Sequence, residues 1–143
     1  MQLAPTDYDF GLESNYSFAN DITCASEEAR KMYVLALGHM LNYNHEQAIA
    51  CFSKVAELDD TCAMAWWGIA YCVSSNYNWA PGLGSGHDSI QQAVSLKDGC
   101  TELEKDLIDA LAQRQASDPM TSQMPTWEGR PSCCQPRHPG PPH

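Results

Sequence analysis

The chain has 143 residues, 18 acids against 8 lysines and arginines, and a formal net charge of −10. That balance repels nucleic acid and anionic membrane surfaces, and no apolar run of about 18 residues is present to cross a bilayer, so neither is expected as a partner. The length is that of one domain.

Residues 1–25 are read as an irregular N-terminal segment. They lack the basic start and apolar run of a secretory signal, which predicts a cytoplasmic, reducing setting. Ser26 is placed to cap a first helix, with Glu27 and Glu28 in its first turn, where acids complement the helix dipole. The stripe of that helix is Ala29, Met32, Tyr33, Ala36, Leu37 and Met40, spaced as one buried face. The polar stretch Asn42 to Gln47 stops it, and Asn44 with Gln47 has capping-box spacing for a second helix. Ala48, Ile49, Phe52, Val55 and Ala56 form the second stripe.

Asp59, Asp60 and Thr61 supply the next cap. The third helix, Ala63 to Val73, is apolar nearly all round and so has to be covered on several sides. A loop with Pro81 and the alternating glycines Gly82, Gly84 and Gly86 follows. It is not read as a phosphate-binding loop, because no strand precedes it. A fourth helix, Asp88 to Lys97, carries Ile90, Ala93 and Val94 and is expected to end on Gly99. Thr101 with Glu104 opens a fifth, bearing Leu103, Leu107, Ile108 and Leu111. The helical domain spans 26–117. Beyond it, the tail over 118–143 holds seven of the nine prolines and no periodicity, the composition of a disordered segment.

Seven cysteines invite a metal or disulfide reading, but Cys24, Cys51, Cys62, Cys72 and Cys100 are scattered and only Cys133 and Cys134 are close. Cys62 and Cys72 stand ten positions apart on one helix, a rotation of about 280° and a rise of about 15 Å, too far to share an ion or a bond. Helix-borne cysteines are therefore expected as small buried hydrophobes. No H-E-x-x-H, G-x-S-x-G or Cys-His pairing occurs, so no catalytic residue, metal site or cofactor is assigned.

Shifting the chain by 34 residues on itself aligns Met32 with Trp66, Tyr33 with Trp67, Leu35 with Ile69 and Ala36 with Ala70. Trp66, Ile69 and Ala70, with Ala48 and Phe52 on the helix before, carry the spacing of the tetratricopeptide repeat, and residues 29–75 resemble that family. Asp60 departs from it where proline is usual, and His39 and Val73 where tyrosine is preferred.

The resemblance implies an all-α fold of antiparallel helical hairpins stacked as a short right-handed array. It also implies a non-catalytic scaffold that binds a protein or peptide on the concave face. On the repeat template Tyr33, Leu37, Trp67 and Tyr71 project toward that face as partner-binding residues, while Trp66 packs between hairpins. An alternative has the segment around Tyr8, Phe10, Tyr16 and Phe18 folding over them. The residues with which some members grip a C-terminal carboxylate are not found on this face, so an acidic tail peptide is not the expected ligand.

The stretch from Asn44 to Ala70 is further similar to the N-terminal part of larger multi-repeat proteins. That implies a second possibility, an N-terminal fragment of a larger multi-repeat protein or enzyme in which this part only packs against further repeats.

Overall fold

The computed structural model describes residues 21–74 and 86–115. The aromatic segment up to residue 20, the stretch 75–85 with most of the glycine loop, and the tail expected over 118–143 lie outside the described residues. The described part is all-α: α1 (Glu27–Leu41), α2 (His45–Leu58), α3 (Ala63–Val73), α4 (His87–Leu96) and α5 (Glu102–Arg114), with a 3-10 turn at Lys97–Gly99 before α5. None of these helices is long and apolar enough to cross a membrane.

Each helix packs on the next in chain order, and α3 also touches α1 and α5. With four helices around it, α3 is covered on most sides, which accounts for its lack of a polar face, and only Tyr71 near its end is exposed. Phe52 of α2 lies fully buried at the centre, its ring edge-to-face with Tyr33 of α1 at 5.5 Å. On the α3 side the ring meets backbone: a Cβ on Gly68 would lie 2.5 Å from Phe52 Cζ. Gly86 does the same for α4, where a Cβ would come within 2.6 Å of the Ala70 carbonyl oxygen. Glycine is favoured at both positions because a ring at Gly68 and a main chain at Gly86 approach more closely than a side chain allows.

Two of the expected caps are present. Ser26 accepts the Ala29 amide at 3.0 Å, and Thr101 with Glu104 forms a complete capping box. Two others are corrected. Asn44 occupies the N-cap position of α2 without a side-chain cap bond, and its amide instead closes the end of α1 on the His39 carbonyl at 2.9 Å. Cys62, not the Asp59–Thr61 run, precedes α3, because Asp59 is committed elsewhere. α4 also ends at Leu96 in the 3-10 turn, with Lys97 in right-handed conformation as its cap, so Gly99 does not act as a left-handed one.

The fifth stripe is also revised. Leu103 is 57% exposed, while Glu104, Ile108 and Leu111 take the inward face of α5. Glu104 is only 1% exposed, and a buried carboxylate needs hydrogen-bond donors around it. It has four. Oε1 accepts the Thr23 amide at 2.7 Å, while Oε2 accepts the Thr23 hydroxyl at 2.7 Å and the Thr101 amide and hydroxyl at 2.8 and 3.0 Å.

The chain entering α1 is thereby strapped across the domain. Asp59 Oδ2 accepts the Ala25 amide at 2.5 Å, and Arg30 donates to the Ile22 carbonyl at 3.0 Å and to the Cys24 carbonyl at 3.5 Å. The two peptide units 22–23 and 24–25 are thus each held on both sides, carbonyl by a guanidinium and amide by a carboxylate. Charge-assisted bonds of this kind are about twice as strong as neutral ones.

Candidate functional site

α1 ends in a Schellman motif. The Tyr43 amide returns to the Met40 carbonyl at 3.1 Å and the Asn44 amide to that of His39 at 2.9 Å. The residue after the cap must then be left-handed, and here it is Tyr43, at φ 61°, instead of the usual glycine. Its ring is turned outward, 74% exposed, and stands edge-on to His45 at 5.8 Å.

Beside it opens a cleft of about 160 Å³ lined by Met40, Leu41, Tyr43, His45, Tyr71, Ser74 and Arg114. These residues come from the ends of α1, α3 and α5, from the α1–α2 turn and from the first residue of α2. Leu41, Tyr43 and Tyr71 are three of the four large apolar residues found exposed among the described ones. Arg114 is the one permanent charge among the lining residues, in a chain whose balance is strongly acidic. The floor is tied down below: Ser74 donates to the Ala70 carbonyl at 2.5 Å and accepts from Gln115 beyond the end of α5.

Of the four residues expected on one open face, three are buried and one is at the surface. Tyr33 is fully buried between α1 and α2, and burial pushes its hydroxyl far above the ordinary tyrosine range, with Cys62 and Glu104 adding to the shift. Leu37 is buried in the same core. Trp67 is 8% exposed, its Nε1 donating to the Leu107 carbonyl of α5 at 3.1 Å. Only Tyr71 is at the surface, 40% exposed and stacked on Trp67 at 5.5 Å with the rings 28° apart. For Trp67 the physical reason is α5, which packs on α3 and offers the Leu107 carbonyl to its Nε1; for Tyr33 it is the Phe52 ring of α2. Trp66 correspondingly lies half-buried at the core margin.

Tyr43, Leu41 and Arg114 escaped the sequence reading. A signal existed for Tyr43, since an aromatic residue stands between two asparagines where the chain must reverse after a helix. Nothing local points to Arg114, which is brought to Tyr71 only by the α3–α5 contact. Among the described residues no three His, Cys, Asp or Glu side chains converge to hold a metal ion. In comparisons with known proteins, no family model, no curated protein and no solved structure matches the chain.

Proposed function

We propose that the chain is a protein-interaction module, without catalysis of its own, that takes an extended peptide segment of a partner at the cleft between the ends of α1, α3 and α5. The observation that carries this is Tyr43: a bulky exposed aromatic held in a left-handed conformation, at the rim of an aromatic cleft. Strain kept in such a place is a reason to look for function.

The size of the cleft narrows the ligand. At about 160 Å³ it is well below the roughly 300–1,000 Å³ of small-molecule sites and fits a single large side chain. Tyrosine and arginine are also the residues that most often dominate binding energy at protein interfaces. The partner segment would place one apolar side chain between Tyr43 and Tyr71 and an acidic residue against Arg114. That charge preference departs from the expectation drawn from residues 29–75, because Arg114 lies outside them.

The packing of α1 on α3 and of α3 on α5 supports reading the helices as a tetratricopeptide-like array. The cleft then lies at one end of the face formed by the first helix of each pair. A second reading is favoured by Leu103, exposed on α5, which a further helix would cover if the chain is part of a longer array.

Trp67 is a built-in reporter, since its ring stacks on Tyr71. Titrating the chain with short peptides that pair leucine or phenylalanine with aspartate should change tryptophan emission, and replacing the aspartate by lysine should abolish the change. Equal response to both peptide sets, or undiminished binding by Tyr71→Ala, would exclude the cleft as the site.

A further inference from the structure

The chain leaves α5 beside the cleft. Gln115, the first residue past the helix, donates its amide to the Leu111 and Ala112 carbonyls at 3.0 and 3.2 Å, and its side chain donates to Ser74 of the cleft lining. Everything C-terminal to it therefore starts within one hydrogen bond of the cleft. In residues 119–143, which lie outside the described ones, a single Trp and a single acid are the only large aromatic and the only carboxylate side chain, and they are neighbours: Trp127 and Glu128. That is the pair of groups the cleft calls for, an apolar body between Tyr43 and Tyr71 and a carboxylate against Arg114.

We propose that Trp127 and Glu128 are an internal ligand, which fills the cleft in the free chain and which a partner's segment has to displace. This rests on the reading of the cleft as a peptide site and adds how that site is regulated. The indole enters between the two tyrosine rings, where aromatic pairs attract one another, and the carboxylate meets the guanidinium. Occupancy of the cleft is then set by competition between the tethered segment and the partner.

Trp127 follows Gln115 by 12 positions. A connection of that length spans up to about 40 Å extended and about 20 Å as a coil, so the cleft is within its range, and a short tether raises the local concentration of a ligand to about the millimolar range. Charge acts in the same direction. Residues 119–143 carry two arginines and one acid, whereas the 17 other acids and six other lysines and arginines lie in residues 1–118, so the tail is drawn to the domain as a whole. Tyr8 and Phe10, the nearest rivals, are less well placed. Their connection arrives at Thr23, which is bonded to Glu104 in the first turn of α5, about 15 Å along that helix from Arg114.

The full chain with the photoreactive p-benzoylphenylalanine in place of Trp127 should, when irradiated in dilute solution, crosslink within one chain to the segment holding Tyr43 or to that holding Tyr71. Glu128→Arg should lose most of that crosslink, and adding Arg114→Glu should restore it. Trp127→Ala, its helix content checked by circular dichroism, should bind the apolar–aspartate peptides about tenfold more tightly than the parent by calorimetry, because the tethered competitor is gone. Unchanged peptide affinity in Trp127→Ala, or crosslinks confined to other parts of the chain, would overturn this proposal and leave the cleft as a partner site. A chain that takes no peptide with or without Trp127 would overturn the reading of the cleft and the proposal with it. Crosslinks between two copies would assign the cleft to a second chain, and tighter peptide binding in Phe10→Ala but not in Trp127→Ala would assign it to the N-terminal segment; each outcome removes the tail from it.

Discussion

Glu104 and Thr23, 81 residues apart in the chain, are joined by two hydrogen bonds of 2.7 Å, one to the main-chain amide and one to the hydroxyl of Thr23. The same carboxylate completes the capping box of α5. One buried side chain therefore starts the last described helix and holds the strap that leads into the first.

Glu104→Ala removes the acceptor for four donors and should destabilise by about 3–5 kcal/mol, the range for breaking a buried charged network. Thr23→Val removes only one of those donors and should cost about 1 kcal/mol. Urea denaturation of the two single variants and the double variant gives the coupling directly. A Glu104→Ala loss no larger than that of an isolated helix cap, about 1 kcal/mol, would show that the strap adds nothing.

Glycine-to-alanine substitutions should have opposite signs at two positions. At Gly68 the new methyl meets the Phe52 ring, itself fully buried, and overpacking should outweigh the gain in helix propensity by about 1–3 kcal/mol. At Gly99 a methyl meets nothing within 4 Å, so the variant should gain about 0.5 kcal/mol from the narrower unfolded ensemble. Thermal melts of both variants are sufficient. A neutral Gly68→Ala would mean that the α2–α3 contact yields.

The adjacent tryptophan and the tyrosine it stacks on separate stability from binding. Trp67→Ala should destabilise by about 3–5 kcal/mol, the cost of deleting a buried large aromatic. Tyr71→Ala should cost less than about 1 kcal/mol yet weaken peptide binding at least tenfold. Tyr43→Gly should stabilise by roughly 0.5–1 kcal/mol by relieving the left-handed tyrosine, and weaken the same binding. Calorimetric melting and peptide titration of the three variants check this, and a stabilised Tyr43→Gly that binds as well as the parent would remove Tyr43 from the site.

How far the residues announce this arrangement depends on how local the information is. Ser26 and the Thr101–Glu104 box are legible because each cap lies within one turn of its helix. The order of Trp66 and Trp67 is not, because a helix apolar on all sides has no stripe to fix its rotation, and only the position of α5 decides which indole goes inside. Leu103 is misread for a related reason. Glu104 looks like a surface residue until Thr23 arrives from the other end of the chain to satisfy it. Asn44 likewise has the spacing of a cap but is drawn into the turn that ends α1.

Asp59 links stability to acid pH. Burial works to raise its carboxyl, but hydrogen bonds from Thr61, the Ala25 amide and Cys24 outweigh it and hold the group below its ordinary value. A carboxyl lowered on folding contributes its full stability above the unfolded value near 3.8, and loses it as pH falls through the lower folded value. Unfolding free energy measured between pH 7 and pH 2.5 should therefore drop at the acid end, and Asp59→Asn should flatten that drop. An unaltered slope in the variant would assign the acid sensitivity to other carboxylates.

In a linear array of helical repeats each unit rests only on its neighbours, and the ends can fray while the middle stays folded. The strap changes that behaviour. With Thr23 on Glu104 and Ala25 on Asp59, the approach to α1 is anchored to α5 and to the α2–α3 turn at once. Fraying of α5 should therefore also loosen the entry to α1, tying the opening of one end of the described helices to the other.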